Sequence, residues 1–129
     1  MKVIVAGSRS INLQSTVTQA IGSAFNSWLQ ANPENWKQFL NPEIVSGGAR
    51  GVDWCGEQYA RKHKFPLKVF KADWETHGKK AGILRNIEMG NYADALIAIW
   101  DGKSRGTKHM IDYMTKLQKP VFVYEVQNV

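Results

Sequence analysis

Short apolar runs and amphipathic helical stretches alternate from one end of the chain to the other, and that rhythm leaves few folds open. Lys2–Ala6, closed by Gly7, and then Glu43–Ser46, Leu67–Phe70, Ala95–Ile99 and Pro120–Tyr124 have the length and apolar continuity of strands covered on both faces. Ala95-Leu-Ile-Ala-Ile99 is the most apolar of the five and is expected at the centre of the sheet. Between the runs, apolar residues recur at helical steps: Val17, Ile21, Ala24, Phe25 and Trp28; Val52, Tyr59, Ala60 and His63; Ile83, Ile87 and Gly90; Met110, Ile111, Met114 and Leu117. Asn32-Pro33 and Phe65-Pro66 are stops, Ala31–Pro42 reads as a packed surface loop or a helical turn, and Asp73–His77 reads as a turn. Crossovers between parallel strands return right-handed over the sheet, so the predicted fold is α/β: a five-stranded, mainly parallel sheet with helices on both faces, in three layers.

One domain is expected over residues 1–129, because that length buries a core without disulfides or metal. Arg9 and Ser10 cut the apolar start too short for a signal peptide or membrane span, which predicts a cytoplasmic protein with no membrane partner. The single cysteine, Cys55, fits a reducing compartment and reads as packing. His63, His77 and His109 lack ligand spacing, so no metal is expected. Lys and Arg number 17 against 11 acidic residues, a formal charge of +6. Nucleic acid is one partner for such an excess, but many of the cations fall in turns rather than along one element, which suits small anions at least as well.

Ile44-Val-Ser-Gly-Gly-Ala-Arg-Gly-Val-Asp53 is an apolar run that enters a glycine-rich turn and leaves it as a helix. Gly47, Gly48 and Gly51 let a ligand approach the main chain, and the helix start supplies free N–H groups. Ser46 precedes the turn, Arg50 brings a planar charged fork, and Asp53 is placed to cap the helix or accept from a hydroxyl. Gly7-Ser8-Arg9 follows the first strand, and Asp101-Gly-Lys-Ser104-Arg105-Gly106-Thr107 follows the fourth. In an open parallel sheet such turns share the rim beyond the strand ends, where strand order reverses. Trp74 and Trp100 both follow strands and are candidates to stack on a base, with core packing as the alternative. A P-loop motif is absent, as is G-x-G-x-x-G after the first strand.

Gly7-Ser-Arg9, Ser46-Gly-Gly-Ala-Arg-Gly-Val-Asp53, Ala72-Asp-Trp74, Ala81-Gly-Ile-Leu-Arg-Asn86, Tyr92-Ala-Asp-Ala-Leu-Ile-Ala98 and Trp100–Thr107 together resemble the YspA-like branch of the SLOG superfamily. The resemblance spans nearly the whole chain. It implies a modified Rossmann-like fold, related to the DNA-processing protein DprA and to the LOG phosphoribohydrolases, with a nucleotide or nucleotide-derived ligand and no required cofactor. It also leaves homo-oligomers open, since superfamily members often pair through helices. LOG enzymes cleave nucleoside monophosphates with an arginine and a glutamate, and by this resemblance Arg85 matches the arginine. Met110 stands where the glutamate would be. Methionine can neither stabilise an oxocarbenium ion nor activate water, so a hydrolase would need another carboxylate, with Asp101 within reach of the site.

The expected function is binding of a small phosphorylated ligand, such as a nucleotide, nucleotide-sugar or ADP-ribose-like molecule, by a sensor or sequestering protein. Nucleoside monophosphate hydrolysis and DprA-like binding of single-stranded DNA are the two alternatives.

Overall fold

Along strand β1 (Lys2–Gly7), Val3 and Val5 pack into one apolar layer while Ile4 and Ala6 pack into another. Successive side chains of a strand face opposite ways, so a run this apolar is stable only where both faces are covered. The computed structural model, which describes residues 1–127, covers both. β2 (Glu43–Ser46) and β4 (Ala95–Trp100) flank β1, β3 (Leu67–Val69) lies outside β2, and β5 (Val121–Glu125) lies outside β4. Every pairing is parallel, so the sheet is wholly rather than mainly parallel.

The central strand is β1, and Ala95–Ile99 lies one place from the centre. Both β1 and β4 have a strand on either side, and Val3–Ala6 and Ala95–Ile99 are all buried. Apolar content reports burial, which the two strands share, and does not rank their positions.

Helices α1 (Gln14–Ala31) and α2 (Val52–Lys62) cover the Val3 and Val5 face, where Val17, Ile21, Ala24, Val52, Cys55 and Ala60 join the core. Cys55 is therefore a packing residue. The opposite face carries α4 (Ala81–Tyr92) and α5 (Arg105–Lys116), which contribute Met89, Met110 and Met114. The segment after α1 winds into a 3₁₀ helix over Pro33–Phe39. Among the described residues, no helix is long and apolar enough to cross a membrane.

Three local expectations shift. Asp73–His77 is not an open turn: Trp74–His77 forms a short helix, α3, and the Asp73 carboxylate caps it by accepting from the Thr76 amide at 3.2 Å. His63 is exposed just beyond α2, where its ring lies 4.3 Å from that of Tyr59. On α4 the buried positions are Asn86, Met89 and Gly90, followed by Ala93, and Ile83 is 49% exposed. The contact with α5 sets this register, since a Cβ at Gly90 would sit 2.6 Å from the Tyr113 ring. Only the smallest residue lets the two helices approach so closely.

Strand order 3-2-1-4-5 places the reversal between β1 and β4, and there the chains leaving the two strands part to opposite faces. At that point a Cβ on Gly7 would lie 1.9 Å from the Ile99 carbonyl oxygen.

Candidate functional site

Ser8 joins the three turns expected at the rim. Its amide donates to Ile99 O at 3.1 Å, its carbonyl accepts from Val52 N at 3.4 Å, and its hydroxyl accepts from Asp101 N at 3.0 Å. It thus ties the end of β1 to the start of α2 and to the turn after β4. Ser8 does not cap α1, whose N-cap is Leu13.

The glycine-rich turn after β2 is held from within. Ser46 is fully buried; its hydroxyl donates to Glu57 Oε2 at 2.7 Å and accepts from Gly48 N at 3.1 Å. Gly51 has φ +76°, and a Cβ there would meet the Arg9 carbonyl oxygen at 2.5 Å. The turn after β1 therefore lies directly over the start of α2. Asp53 Oδ2 accepts from Ala49 N at 3.3 Å. A carboxylate of the chain itself thus occupies one of the amides that the sequence offered to an anion, and the cradle expected at this helix start is partly filled.

Asp53 is 5% exposed. Burial pushes its carboxyl up to about 6, and the Glu57 carboxylate adds to that rise, while the Ala49 amide, the Arg85 guanidinium and the Gly7 backbone pull the other way. Across Gly47 from it stands Arg85, with a Cβ on that glycine 2.8 Å from Arg85 Nη1 and 2.9 Å from Asp53 Oδ2. Arg85 donates from Nη1 to Gly47 O at 2.5 Å and from Nε to Asn86 Oδ1 at 3.2 Å. Burial lowers its pKa from the ordinary arginine value, Asp53 opposes that, and nearby Arg9 adds to it. Asn86, 6% exposed, turns its amide nitrogen to Gly106 O and to His109 Nδ1, each at 3.2 Å. One asparagine thereby connects the arginine to the first turn of α5.

That first turn is open on its outer side. Ser104 caps it through Thr107 N at 3.4 Å, and a Cβ on Gly106 would meet nothing within 4 Å. The Arg105 and Gly106 amides belong to the helical turn whose N–H groups have no intrahelical acceptor. Asp101 Oδ1 accepts from Lys103 N and Ser104 N, both at 2.8 Å, and these two amides hold its carboxyl below the usual carboxylate range. Trp100 donates from Nε1 to Ser104 O at 3.0 Å, so its indole braces the turn.

These elements enclose a cleft of about 460 Å³ with Gly7, Ser8, Arg9, Asp53, Arg85, Asp101, Ser104, Gly106 and Thr107 on its walls and Ala6, Met89 and Met110 also lining it. A neighbouring recess of about 280 Å³ is lined by Gly47, Gly48, Lys71, Ala72 and Trp74 and shares Arg9, Ala49 and Arg85 with the first. Such volumes suit small organic ligands. Of the positions expected at the site, Arg50 and Arg105 are exposed and line neither space, while Ser46 and Gly51 act from behind the wall. The cations that do converge are Arg9, Arg85 and Lys71.

Asn86, Ala49, Ser10 and Lys71 were not singled out by the sequence. For Asn86 a signal existed: asparagine is a poor residue for a helix interior, and it stands at the core-facing position of α4 beside Arg85.

The profile of the YspA, cpYpsA-related SLOG family matches residues 1–77. Gene 61 protein of Mycobacterium phage D29 is 36% identical over 126 residues, which is 93% of each chain. Among solved structures, DNA processing protein A from Helicobacter pylori, described for its single-stranded DNA binding mode, superposes with a TM-score of 0.62 at 22% identity. That match covers 95% of this chain and 64% of the other, so the chain spans under two thirds of that protein's solved length, and the likeness is one of fold. Taken with the sheet order and the shared motifs, the profile and the phage relative establish that the chain belongs to the YspA, cpYpsA-related SLOG family.

Proposed function

We propose that this chain binds a phosphorylated, nucleotide-derived ligand in the cleft between β1, β4 and α4, and acts by sensing or sequestering it. The observation that carries the reading is the convergence of Arg9 and Arg85 on a space whose walls include the open first turn of α5. Two guanidiniums and unpaired helix amides favour phosphate, and the Asp53 and Asp101 carboxylates along the same walls accept from sugar hydroxyls. The apolar lining by Ala6, Met89 and Met110 takes an uncharged ring face. Calorimetry and thermal shift with AMP, ADP, UDP-glucose and ADP-ribose test this, with saturable heat and a raised melting temperature expected for at least one. Silence across all four refutes it. A single-stranded oligonucleotide serves as the competing probe, since binding to it would weaken steeply with salt.

A second reading, hydrolysis of a nucleotide N-glycosidic bond, draws on Asp53. Met110 brings no acid to the cleft and Asp101 is committed to two amides, but Asp53 is a carboxyl with a pKa of about 6 next to Arg85. A group poised there can exchange a proton at neutral pH. Release of free base from AMP, abolished in Asp53→Asn, supports it, and full recovery of intact nucleotide after prolonged incubation rules it out.

A further inference from the structure

The cleft and the recess meet at a waist formed by Arg9, Ala49 and Arg85, which line both. A compact ligand such as ribose 5-phosphate needs only the larger lobe. What the smaller lobe adds is of a different chemistry: the exposed Trp74 indole, 52% accessible, and the cation of Lys71. The indole is held in place. Asp73 caps the turn that carries it, and a Cβ on Gly82 would lie 3.5 Å from Trp74 Cη2 and 3.9 Å from Arg85 Nη2, so ring tip and guanidinium meet over the same glycine. An aromatic surface fixed beside an arginine offers a platform for a planar base whose phosphates reach that arginine. In the larger lobe, Asp53, Asp101, Ser104 and Thr107 present hydroxyl-binding groups without an aromatic platform.

We propose, resting on the reading above, that the ligand is a diphosphate-bridged nucleotide that spans both lobes. Its base lies on Trp74 in the smaller lobe, its diphosphate lies at the waist between Arg9 and Arg85, and its second sugar occupies the larger lobe. Arginine forks are suited to bridging two adjacent phosphates, and a cation pair at a constriction is the place to hold them.

Calorimetry at fixed ionic strength, with ribose 5-phosphate, AMP, UDP-glucose and ADP-ribose as probes, tests the assignment on the wild type, Trp74→Ala and Lys71→Ala. One of the diphosphate-bridged probes should bind at least about ten-fold more tightly than ribose 5-phosphate, and Trp74→Ala should remove about ten-fold from that probe while leaving ribose 5-phosphate unchanged. Trp74 is half exposed, and an unchanged melting temperature shows that the variant is folded. If ribose 5-phosphate or AMP binds as tightly as the bridged probes, or if Trp74→Ala and Lys71→Ala weaken none of them, the two-lobed assignment falls and the phosphate-ligand reading stands. If no probe binds, both fall.

Discussion

Arg85 donates from Nη1 to the main-chain oxygen of Gly47 at 2.5 Å, joining α4 to the turn after β2 across 38 residues of sequence. Together with the Nε bond to Asn86, this fixes the plane of the guanidinium and leaves its Nη2 edge without a protein acceptor among the described residues. A pre-oriented fork loses little freedom when it takes a phosphate. Arg85→Ala is therefore expected to cost about 1.5–3 kcal/mol of ligand affinity, as for a hydrogen bond to a charged group. Arg50→Ala, at a side chain that lines neither lobe, should leave affinity within about two-fold at moderate salt, where distant surface charge is screened. Titrating both variants side by side decides the matter; a larger loss for Arg50→Ala would mean that the ligand sits outside the cleft.

Gly47→Ala separates site from fold. The added methyl would sit 2.8 Å from Arg85 Nη1 and 2.9 Å from Asp53 Oδ2, both ends of side chains rather than backbone. The protein can yield there by moving the arginine, so the expected loss of stability is below about 1 kcal/mol while the ligand is lost with the displaced fork. Urea unfolding and calorimetry on the same preparation check the two parts. Retained affinity would show that the position of Arg85 is not what binds.

Gly7→Ala should do the reverse. Its Cβ would stand 1.9 Å from the Ile99 carbonyl oxygen and 2.8 Å from Val52 Cγ2, between the central strand and its neighbour. Backbone has to move, and the expected cost is more than about 3 kcal/mol, in the range reserved for changes that disrupt a core. A midpoint of urea unfolding close to that of the wild type would contradict the packing described at this rim.

The layers were legible in the sequence because burial on both faces leaves continuous apolar runs, and all five strands were found from them. The order of strands within the sheet was less so, since Val3–Ala6 and Ala95–Ile99 are equally buried. The register of α4 was misread for a related reason: its packing surface contains Asn86 and Gly90, which an apolar count passes over, and Ile83 is left outside. At the site, glycine spacing located the turns but could not tell which arginine points inward. Arg50 and Arg105 leave the turns toward solvent, whereas Arg85 arrives from a helix far along the chain. Pairings across tens of residues, such as Arg85 with Gly47, leave no local pattern to read.

Asp53 links the site to pH. Its folded pKa of about 6 exceeds the ordinary 3.8, so the folded chain holds this proton more tightly than the unfolded chain does. The stability contributed by the protonated carboxyl is full below pH 3.8, declines as pH rises, and is gone above about 6. Asp53→Asn keeps an oxygen for the Ala49 amide and removes the titration. Its stability relative to the wild type should therefore rise between those two values, by about 1.4 kcal/mol for each unit of the shift, and then level off. The same proton bears on the ligand: with Asp53 neutral, one negative charge leaves the neighbourhood of Arg85 and Arg9, so an anion should bind more tightly below pH 6 than above it. ADP-ribose is the suitable probe, because its bridged phosphates do not titrate in this range. Urea unfolding and calorimetry across the interval, on wild type and Asp53→Asn, should both show a pH dependence that the variant loses. Parallel profiles for the two proteins would mean that Asp53 is ionised throughout, and that its burial is offset by the surrounding donors more fully than the geometry indicates.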